Sequence, residues 1–285
     1  MTHPSTMSRE QFFRSLQGSR EAVLLLDYDG TLAPFHVDPQ RALPYPGVTA
    51  LLVDIMRAGR TRVVFVSGRR AQELVFLLGI FPPPEIWGCH GLQHLRPDGT
   101  EQVVTPDPAA AQALCDAAAW LHSNDLRDLA ELKPGAVAVN WRDQPPSAVE
   151  ALRRAVLAEW NPIARRAGLK LEDFDGGLEM RLSDRDKGDV VRSIVQQTPA
   201  RTPIAFLGND APDEDAFRAL NGTGLSVLVS PKSRTTAADL WIRPPDELLQ
   251  FLAEWFAARQ TRPPFPSPNG HPDLPPGWAK PEIKP

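Results

Sequence analysis

The sequence predicts an α/β fold in which a Rossmann-like, mostly parallel sheet is interrupted by an inserted α+β unit. Three features of the pattern carry this prediction. Short apolar runs alternate with helical patterns up to about residue 96, which is typical of βαβ units. Over residues 97–180 this alternation gives way to helices, a half-buried strand and a hairpin. The first pattern then resumes and continues to about residue 260.

The first part of the core is predicted to contain three strands separated by helices. The apolar run Ala22–Leu26 is a buried strand. Apolar residues share one face over residues 48–58, which predicts a helix. A second strand over 62–66 is followed by a short helix. Three prolines at 82–84 end that helix before a third strand over 85–89.

Four patterns define the inserted unit, which we call the cap. An Asp-Pro pair at 107–108 predicts the start of a helix that runs to about residue 123. Residues 135–141 alternate apolar and polar, as a half-buried strand does. A capping-box pattern at 147–150 predicts the start of a second helix. Two strands joined across Asp-Gly-Gly are predicted to form a hairpin within 169–182.

The remaining chain returns to the core pattern and then changes composition. Helices are predicted over 187–196, 213–220 and 246–258, and strands over 204–207 and 225–229. The last segment, 261–285, holds 9 of the 30 prolines. We therefore expect a core made of residues 1–96 and 181–260, a cap over 97–180, and a proline-rich tail that has no part in catalysis.

Composition excludes several classes of protein. A hydrophobic content of 42% argues against a wholly disordered chain. A net charge of −4 without a basic stripe gives no support for binding nucleic acid or a membrane surface. The two cysteines, Cys89 and Cys115, are too few for a disulfide scaffold. Because the first residues also lack an apolar signal core, we expect a cytoplasmic protein.

Two aspartates directly follow the first predicted strand. Ligands of open α/β sheets sit beyond the carboxyl ends of the strands, so Asp27 and Asp29 should face one crevice. Their pattern suits phosphoryl transfer, with Asp27 attacking phosphorus and Asp29 acting as general acid and base. Two carboxylates beside a phosphate need a cation, and Mg²⁺ prefers such oxygen ligands. A helix-capping turn rich in aspartate is the structural alternative.

Three further segments carry polar residues that suit the same chemistry. Ser67, Gly68 and Arg69 follow the second strand, where a hydroxyl and successive amides can bind phosphate. Lys187 can place a positive charge on the phosphate. The acidic segment at 208–215 follows a buried strand and can hold a metal through Asn209, Asp210 and Asp213. Taken singly, these residues also have structural explanations, namely a serine helix cap, a solvated lysine and acidic residues that interact favourably with a helix dipole.

Together these motifs resemble the haloacid dehalogenase superfamily and, more narrowly, the trehalose-6-phosphate phosphatases. The resemblance covers roughly residues 20–258. The matching segments are LLLDYDGTLAPF at 24–35, VVFVSGR at 63–69, GCHGL at 88–92, LEMRLSDRDKG at 178–188 and FLGNDAPDEDAF at 206–217.

The resemblance implies a role for each matching residue. Asp27 is the nucleophile and Asp29 the acid and base, while Ser67 and Lys187 hold the phosphate. Mg²⁺ is bound by the Asp27 side chain, the Asp29 main-chain carbonyl and the acidic segment. The cap binds a disaccharide through residues that match a Glu-x-Lys pair and a later glutamate, namely Glu131, Lys133 and Glu179. Weaker candidates for substrate contact are His90, Arg142 and Arg181.

The chain departs from the family pattern at three places. Asn209 replaces the first acid of the metal loop, which removes one negative charge. Asn140-Trp141-Arg142 replaces His-Tyr-Arg in the cap. Leu182 and Pro212 replace a proline and a threonine.

The resemblance implies Mg²⁺-dependent hydrolysis of trehalose 6-phosphate through an aspartyl-phosphate. The expected partner is therefore a small-molecule sugar phosphate. Two alternatives remain open. The same chemistry can act on sucrose, glucosylglycerate or mannosylglycerate phosphate, which the change at Asn140-Trp141 leaves possible. A non-catalytic sugar-phosphate sensor is the second alternative, supported by Asn209 alone.

Overall fold

Two β-sheets with flanking helices make up the fold. The structure is a computed structural model and describes residues 7–174, 176–183 and 185–260. The predicted tail, 261–285, lies outside the described residues. The strands are β1 (Ala22–Leu26), β2 (Thr61–Val66), β3 (Glu85–Gly88), β4 (Gln93–Leu95), β5 (Glu101–Val103), β6 (Ala130–Lys133), β7 (Ala136–Asn140), β8 (Leu169–Phe174), β9 (Gly177–Leu182), β10 (Ile204–Gly208), β11 (Leu225–Val229) and β12 (Leu240–Ile242). The helices are α1 (Arg9–Gly18), α2 (Val48–Arg57), α3 (Ala71–Leu78), α4 (Pro108–Ser123), α5 (Pro146–Ala167), α6 (Lys187–Gln197), α7 (Asp213–Leu220) and α8 (Asp246–Gln260).

The larger sheet has the strand order β12-β11-β10-β1-β2-β3-β4-β5. Strands β12 through β3 pair in parallel, as the sequence predicts, and β4 and β5 add an antiparallel edge. Strands β4, β5 and β12 were not predicted, because each has only three residues and shows no periodicity. The parallel arrangement brings the carboxyl ends of β1, β2, β3 and β10 to one edge of the sheet.

Helices cover both faces of this sheet. Leu24 of β1 packs with α1, α2, α3 and α8, whereas Leu25 packs with α6 and α7. A strand with two buried faces needs apolar residues at every position, which explains the continuous run in β1. The first helix, α1, was not predicted, although Ser8 and Gln11 form a capping box at its start.

The smaller sheet is antiparallel with the order β6-β7-β9-β8, and α4 and α5 cover one of its faces. Trp160 and Met180 are fully buried in the core between them. Helix α5 begins at Pro146 without a side-chain cap, so the predicted capping box at 147–150 is wrong. Pro145 precedes the helix in an extended conformation and the helix begins with a second proline, so fixed proline geometry starts this helix.

The observed limits of the cap differ slightly from the predicted 97–180. Strand β5 at Glu101–Val103 still belongs to the large sheet, and the last cap strand continues to Leu182. The chain therefore enters the cap after β5 and leaves it after β9. No helix in the described ranges is long and apolar enough to cross a membrane.

Candidate active site

A cavity lies between the carboxyl edge of the large sheet and the cap. Its empty volume is about 820 Å³, which includes space open to solvent. The lining residues are Asp27, Asp29, Phe35, Pro39, Ser67, Gly68, Arg69, Glu73, His90, Glu131, Lys133, Asn140, Arg142, Glu172, Phe174, Glu179, Lys187, Asn209, Asp210 and Pro212. Most of the site residues predicted from the sequence are among them.

Asp27 is the residue that directly follows β1, and it is only 4% exposed. Its Oδ1 accepts a hydrogen bond of 2.7 Å from Lys187 Nζ, and its Oδ2 accepts one of 2.8 Å from Thr31 Oγ1. Burial, with the neighbouring Asp213 carboxylate, raises the pKa of Asp27 to about 7, and Lys187 offsets this only in part. A negative charge at Asp27 is therefore less favourable in the folded protein than in water.

Lys187 joins the two buried carboxylates of the site. Its Nζ, at the start of α6, lies 2.7 Å from an oxygen of Asp27 and 2.7 Å from an oxygen of Asp213. Burial alone would lower the pKa of Lys187, but Asp213 and Asp27 outweigh burial and raise it. The ammonium group is therefore charged and held at the cavity wall.

Asp213 was predicted as a metal ligand, but in the structure both of its carboxylate oxygens accept hydrogen bonds from neighbouring protein groups. One of its oxygens accepts the bond from Lys187, and the other accepts the amides of Asn209 and Asp210 at 2.9 and 3.0 Å. The side chain is fully buried and does not line the cavity. Its contacts fix the 208–213 loop and the lysine.

The oxygen donors that remain fit a hard cation. Asp27, Asn209 and Asp210 all line the cavity, and the Thr31 hydroxyl lies 2.8 Å from Asp27 Oδ2 and 3.5 Å from Asn209 Oδ1. Carboxylate and amide oxygens are the donors that Mg²⁺ prefers. Over the ranges that the structure describes, no group of three His, Cys, Asp or Glu side chains is gathered as a metal cluster. Two of the predicted ligands, the Asn209 amide and the Asp29 main-chain carbonyl, are not side chains of these four types, so the predicted site would not form such a group.

Gly30 allows the loop after β1 to approach the 208–213 loop closely. Its φ is +75°, and a Cβ at this position would lie 2.0 Å from the Asn209 side chain. A left-handed backbone and this close approach both require glycine. The sequence Asp-Gly-Thr therefore brings the Thr31 hydroxyl between Asp27 and Asn209.

Asp29 lies at the cavity in a bidentate ion pair with Arg69. Both nitrogen–oxygen distances are 2.6 Å. Tyr28, between the two aspartates, is buried on the opposite side and donates to the Ala42 carbonyl at 2.6 Å. Alternation along the extended chain thus places both carboxylates toward the cavity. Arg69 lines the cavity as predicted, but its guanidinium is directed at Asp29.

Ser67 and Gly68 follow β2 at the base of the cavity. Ser67 is 1% exposed, and its Oγ accepts the Arg69 amide at 3.2 Å. A Cβ at Gly68 would lie 2.7 Å from His90 Nε2, so the loop packs against this histidine. Residues 67–69, which were predicted to bind phosphate, therefore form a loop, which we call the phosphate loop, that packs against His90 of the GCHGL segment.

The cap side of the cavity holds a cluster of charged residues. Buried Glu179 on β9 accepts hydrogen bonds from Lys133 Nζ at 3.0 Å and from His90 Nε2 at 3.1 Å. Lys133 also lies 3.2 Å from Glu131. Although burial favours the neutral acid, Lys133 and His90 hold the pKa of Glu179 well below its usual range. The predicted Glu131, Lys133 and Glu179 are therefore brought together.

Arg181 does not line the cavity, contrary to its expected contact with substrate. The side chain is 1% exposed, its Nε and Nη2 both lie 2.8 Å from Glu172 Oε2, and Nη1 donates to the Leu182 carbonyl. Arg181 pairs with Lys170 across the sheet, two residues before Glu172 on the same strand, so its long side chain reaches diagonally to that carboxylate. It supports Glu172, which does line the cavity.

Sequence analysis missed several lining residues, of which Phe35 and Phe174 have the clearest arrangement. The Arg142 guanidinium carbon lies 5.5 Å from the Phe35 ring centre and 5.9 Å from that of Phe174. Phe35 ends one of the motif segments, which is a signal that could have identified it. Nothing in the sequence distinguishes Glu73 or Glu172 from other surface acids.

Comparison with known proteins identifies relatives of the chain. The family described as trehalose-phosphatase matches residues 25–241. The trehalose-phosphate phosphatase of Mycobacterium avium is 31% identical over 250 residues, covering 81% of this chain and 61% of that protein. The Mycobacterium marinum enzyme of the same name is 30% identical over 247 residues, covering 80% and 60%. The chain thus spans about 60% of the length of these curated relatives.

Solved structures share the fold. The C-terminal domain of C. albicans trehalose-6-phosphate phosphatase aligns with a TM-score of 0.76 at 20% identity, covering 90% of this chain and 98% of that one. A Bacteroides thetaiotaomicron phosphatase of the haloalkanoate superfamily aligns with a TM-score of 0.55 at 15% identity, covering 84% and 96%. These structures confirm the predicted α/β fold class. Since the family match spans most of the residues that form both the core and the cap, the chain belongs to the trehalose-phosphatase family.

Proposed function

We propose that this protein hydrolyses trehalose 6-phosphate to trehalose and phosphate. One observation carries the proposal beyond family membership. Buried Asp27, in contact with Lys187, opens onto the same cavity as the Glu131, Lys133 and Glu179 cluster of the cap. A phosphate-reacting end and a hydroxyl-binding end thus face each other across a single space.

The first chemical step forms a covalent aspartyl-phosphate. Asp27 Oδ attacks phosphorus, and the bond to the sugar oxygen breaks as that oxygen takes a proton from Asp29. Lys187 and Ser67 contact the phosphate oxygens and stabilise the charge that develops on them. In the second step Asp29 takes a proton from water, which attacks phosphorus and restores the Asp27 carboxylate.

Arg69 supports the role of Asp29 in the second step, where Asp29 accepts a proton from water. Its guanidinium forms a bidentate ion pair with Asp29 and thereby orients that carboxylate for proton transfer. The pair also fixes the side chain at the cavity wall.

Mg²⁺ would be held by the Asp27 carboxylate, the Asp29 main-chain carbonyl and the side chains of Asn209 and Asp210. When bound, it supplies positive charge that offsets repulsion between these carboxylates and the phosphate. Asp213 acts indirectly, because it holds the Asn209 and Asp210 amides and Lys187.

The sugar is bound at the cap end. Carboxylates accept hydrogen bonds from sugar hydroxyls and a lysine donates to their oxygens, so Glu131, Lys133 and Glu179 suit a polyol. A second candidate substrate class is favoured by Asn140, which lines the cavity at a position where the family pattern has a histidine. Sucrose, glucosylglycerate and mannosylglycerate phosphates represent that class.

The test is a phosphate-release assay on the purified chain with Mg²⁺ or with EDTA. The substrates are trehalose 6-phosphate and the three other sugar phosphates. We expect the highest kcat/KM for trehalose 6-phosphate and loss of turnover in EDTA. A higher kcat/KM for another sugar phosphate would overturn the substrate assignment. Binding of trehalose 6-phosphate without turnover at saturating Mg²⁺ would instead indicate a sensor.

A further inference from the structure

The turn after β3 has an unusual backbone. Cys89, His90 and Gly91 have φ values of +49°, +57° and +100°. Non-glycine residues rarely adopt this conformation, and such strain persists only where the surrounding structure enforces it. The Cys89 amide donates to the Arg69 carbonyl at 2.8 Å, and the His90 amide donates to the Ser67 carbonyl at 2.9 Å. The turn is therefore bonded directly to the phosphate loop.

The His90 ring lies between the core and the cap. On the core side it packs against Gly68, where a Cβ would come within 2.7 Å of Nε2. On the cap side Nε2 lies 3.1 Å from Glu179 Oε2. Nδ1 is buried and has no hydrogen-bond partner in the part of the chain that the structure describes. The contact with Glu179 is therefore the polar interaction that orients this ring.

Glu179 is shared between His90 and the residue expected to bind sugar. Its Oε1 accepts from Lys133, and its Oε2 accepts from His90. A shift of Glu179 toward or away from the core changes both contacts. The His90 imidazole thus contacts both the cap cluster, through Glu179, and the phosphate loop, through Gly68.

We propose that His90 is a positioning residue that links sugar recognition in the cap to the phosphate loop of the core. This inference rests on the proposed sugar-phosphate phosphatase function. The hydrogen bond between His90 and Glu179 fixes the cap cluster relative to Ser67 and Gly68. The sugar and the phosphate of one substrate are then held at a defined separation. A phosphate ester with no sugar does not use the cap cluster and gains nothing from this link.

The test compares two substrates in His90 variants. The substrates are trehalose 6-phosphate and 4-nitrophenyl phosphate, assayed with Mg²⁺. For His90→Ala we expect kcat/KM for the sugar phosphate to fall about 10- to 100-fold, as for loss of a hydrogen bond to a charged group. The value for the aryl phosphate should change less than about 3-fold. His90→Asn serves as a second variant, because asparagine tolerates a positive φ and retains an N–H donor. We expect it to recover part of the lost activity.

His94→Asn is the matched control. His94 contacts a buried carboxylate in the same way, with Nε2 3.0 Å from Glu85 Oε1, but it does not line the cavity. We expect this variant to keep the wild-type ratio of the two kcat/KM values. Melting temperatures of all variants report any general loss of structure.

A double-mutant cycle with Glu179→Ala tests the link itself. We expect His90→Ala combined with Glu179→Ala to be no worse than the more defective single variant. Additive losses, or equal losses on both substrates in His90→Ala, would overturn the proposal. If another sugar phosphate is the better substrate, the same comparison is made with that compound. In that case the assignment of trehalose 6-phosphate fails, but the comparison still tests whether His90 links the cap cluster to the phosphate loop.

Discussion

The two ends of the cavity hold their buried carboxylates under opposite electrostatic conditions. At the core end, Asp27 and Asp213 share Lys187, and burial together with Asp213 raises the pKa of Asp27 to about 7. At the cap end, Lys133 and His90 both donate to Glu179, and its pKa stays well below the usual range despite burial. Burial thus disfavours the charged form of Asp27 at the core end, whereas Lys133 and His90 favour the charged form of Glu179 at the cap end. This difference supports the proposal that the core end carries the reaction and the cap end binds the sugar.

The largest expected effect comes from removing the reacting carboxylate. We expect Asp27→Asn to lower kcat for trehalose 6-phosphate by at least about 10⁴-fold, because no covalent intermediate can form. Asp29→Asn should be nearly as inactive. Phosphate release measured with Mg²⁺ checks both variants, and ordinary kcat in either would contradict its assigned role.

Removing the shared cation should damage the core end structurally as well as chemically. Lys187→Met leaves Asp27 and Asp213 buried without their cation, so we expect the free energy of unfolding at pH 8 to fall by about 3–5 kcal/mol. Urea denaturation measures this loss. Arg192→Met on the same helix removes a half-exposed partner of Asp189 and should cost at most about 1 kcal/mol. Equal losses of unfolding free energy in the two variants would show that Lys187 does not stabilise the buried carboxylates of Asp27 and Asp213.

At the cap end, removing a cation should affect recognition more than chemistry. We expect Lys133→Met to lower kcat/KM for trehalose 6-phosphate by roughly 10- to 100-fold, mainly through KM. The control is Arg153→Met, which removes an exposed cap cation paired with Asp173 and should leave KM unchanged. Steady-state kinetics distinguish them. A fall in kcat alone would place Lys133 in the chemical step instead.

A smaller effect is expected from restoring the family acid in the metal loop. Asn209→Asp adds a carboxylate to the predicted Mg²⁺ ligands, so the Mg²⁺ concentration for half-maximal activity should fall by roughly 10-fold. Phosphate release measured across Mg²⁺ concentrations gives this value. An unchanged or higher requirement would indicate that Asn209 is not a ligand.

The smallest effect concerns stability without metal. The pKa of Asp27 is raised from 3.8 to about 7 in the folded protein, so its destabilising ionisation sets in as pH rises between these values. In EDTA, Asp27→Asn should therefore raise the melting temperature by a few degrees at pH 8. At pH 4 the native side chain is neutral when folded, and the difference should be small. A melting temperature that falls at pH 8 would contradict this account of the core end.

Motifs at strand ends were predictable because the topology of a parallel sheet gathers them at one edge. Asp27 and Ser67 follow from that rule together with the family resemblance, whereas Lys187, at the start of α6, follows from the resemblance. Short edge strands such as β5 were not predictable, since three residues carry no period. Neither was the contact of Arg142 with Phe35, because it joins a residue in the turn after β7 of the cap to one in the loop after β1 of the core. Arg181 could not be placed from the sequence either, because its guanidinium pairs with Glu172 on the neighbouring strand β8 and does not line the cavity.

The covalent step at the core end is the central claim, and one quenched reaction tests it most directly. Asp29→Asn lacks the base for the second step, while 4-nitrophenyl phosphate needs no acid to release its leaving group. Mixing the two with Mg²⁺ should release one 4-nitrophenolate per protein molecule in a burst. The acid-quenched protein should then carry phosphate on the peptide that contains Asp27. Turnover by the wild-type protein, with neither a burst nor a phosphorylated peptide in the variant, would contradict the account.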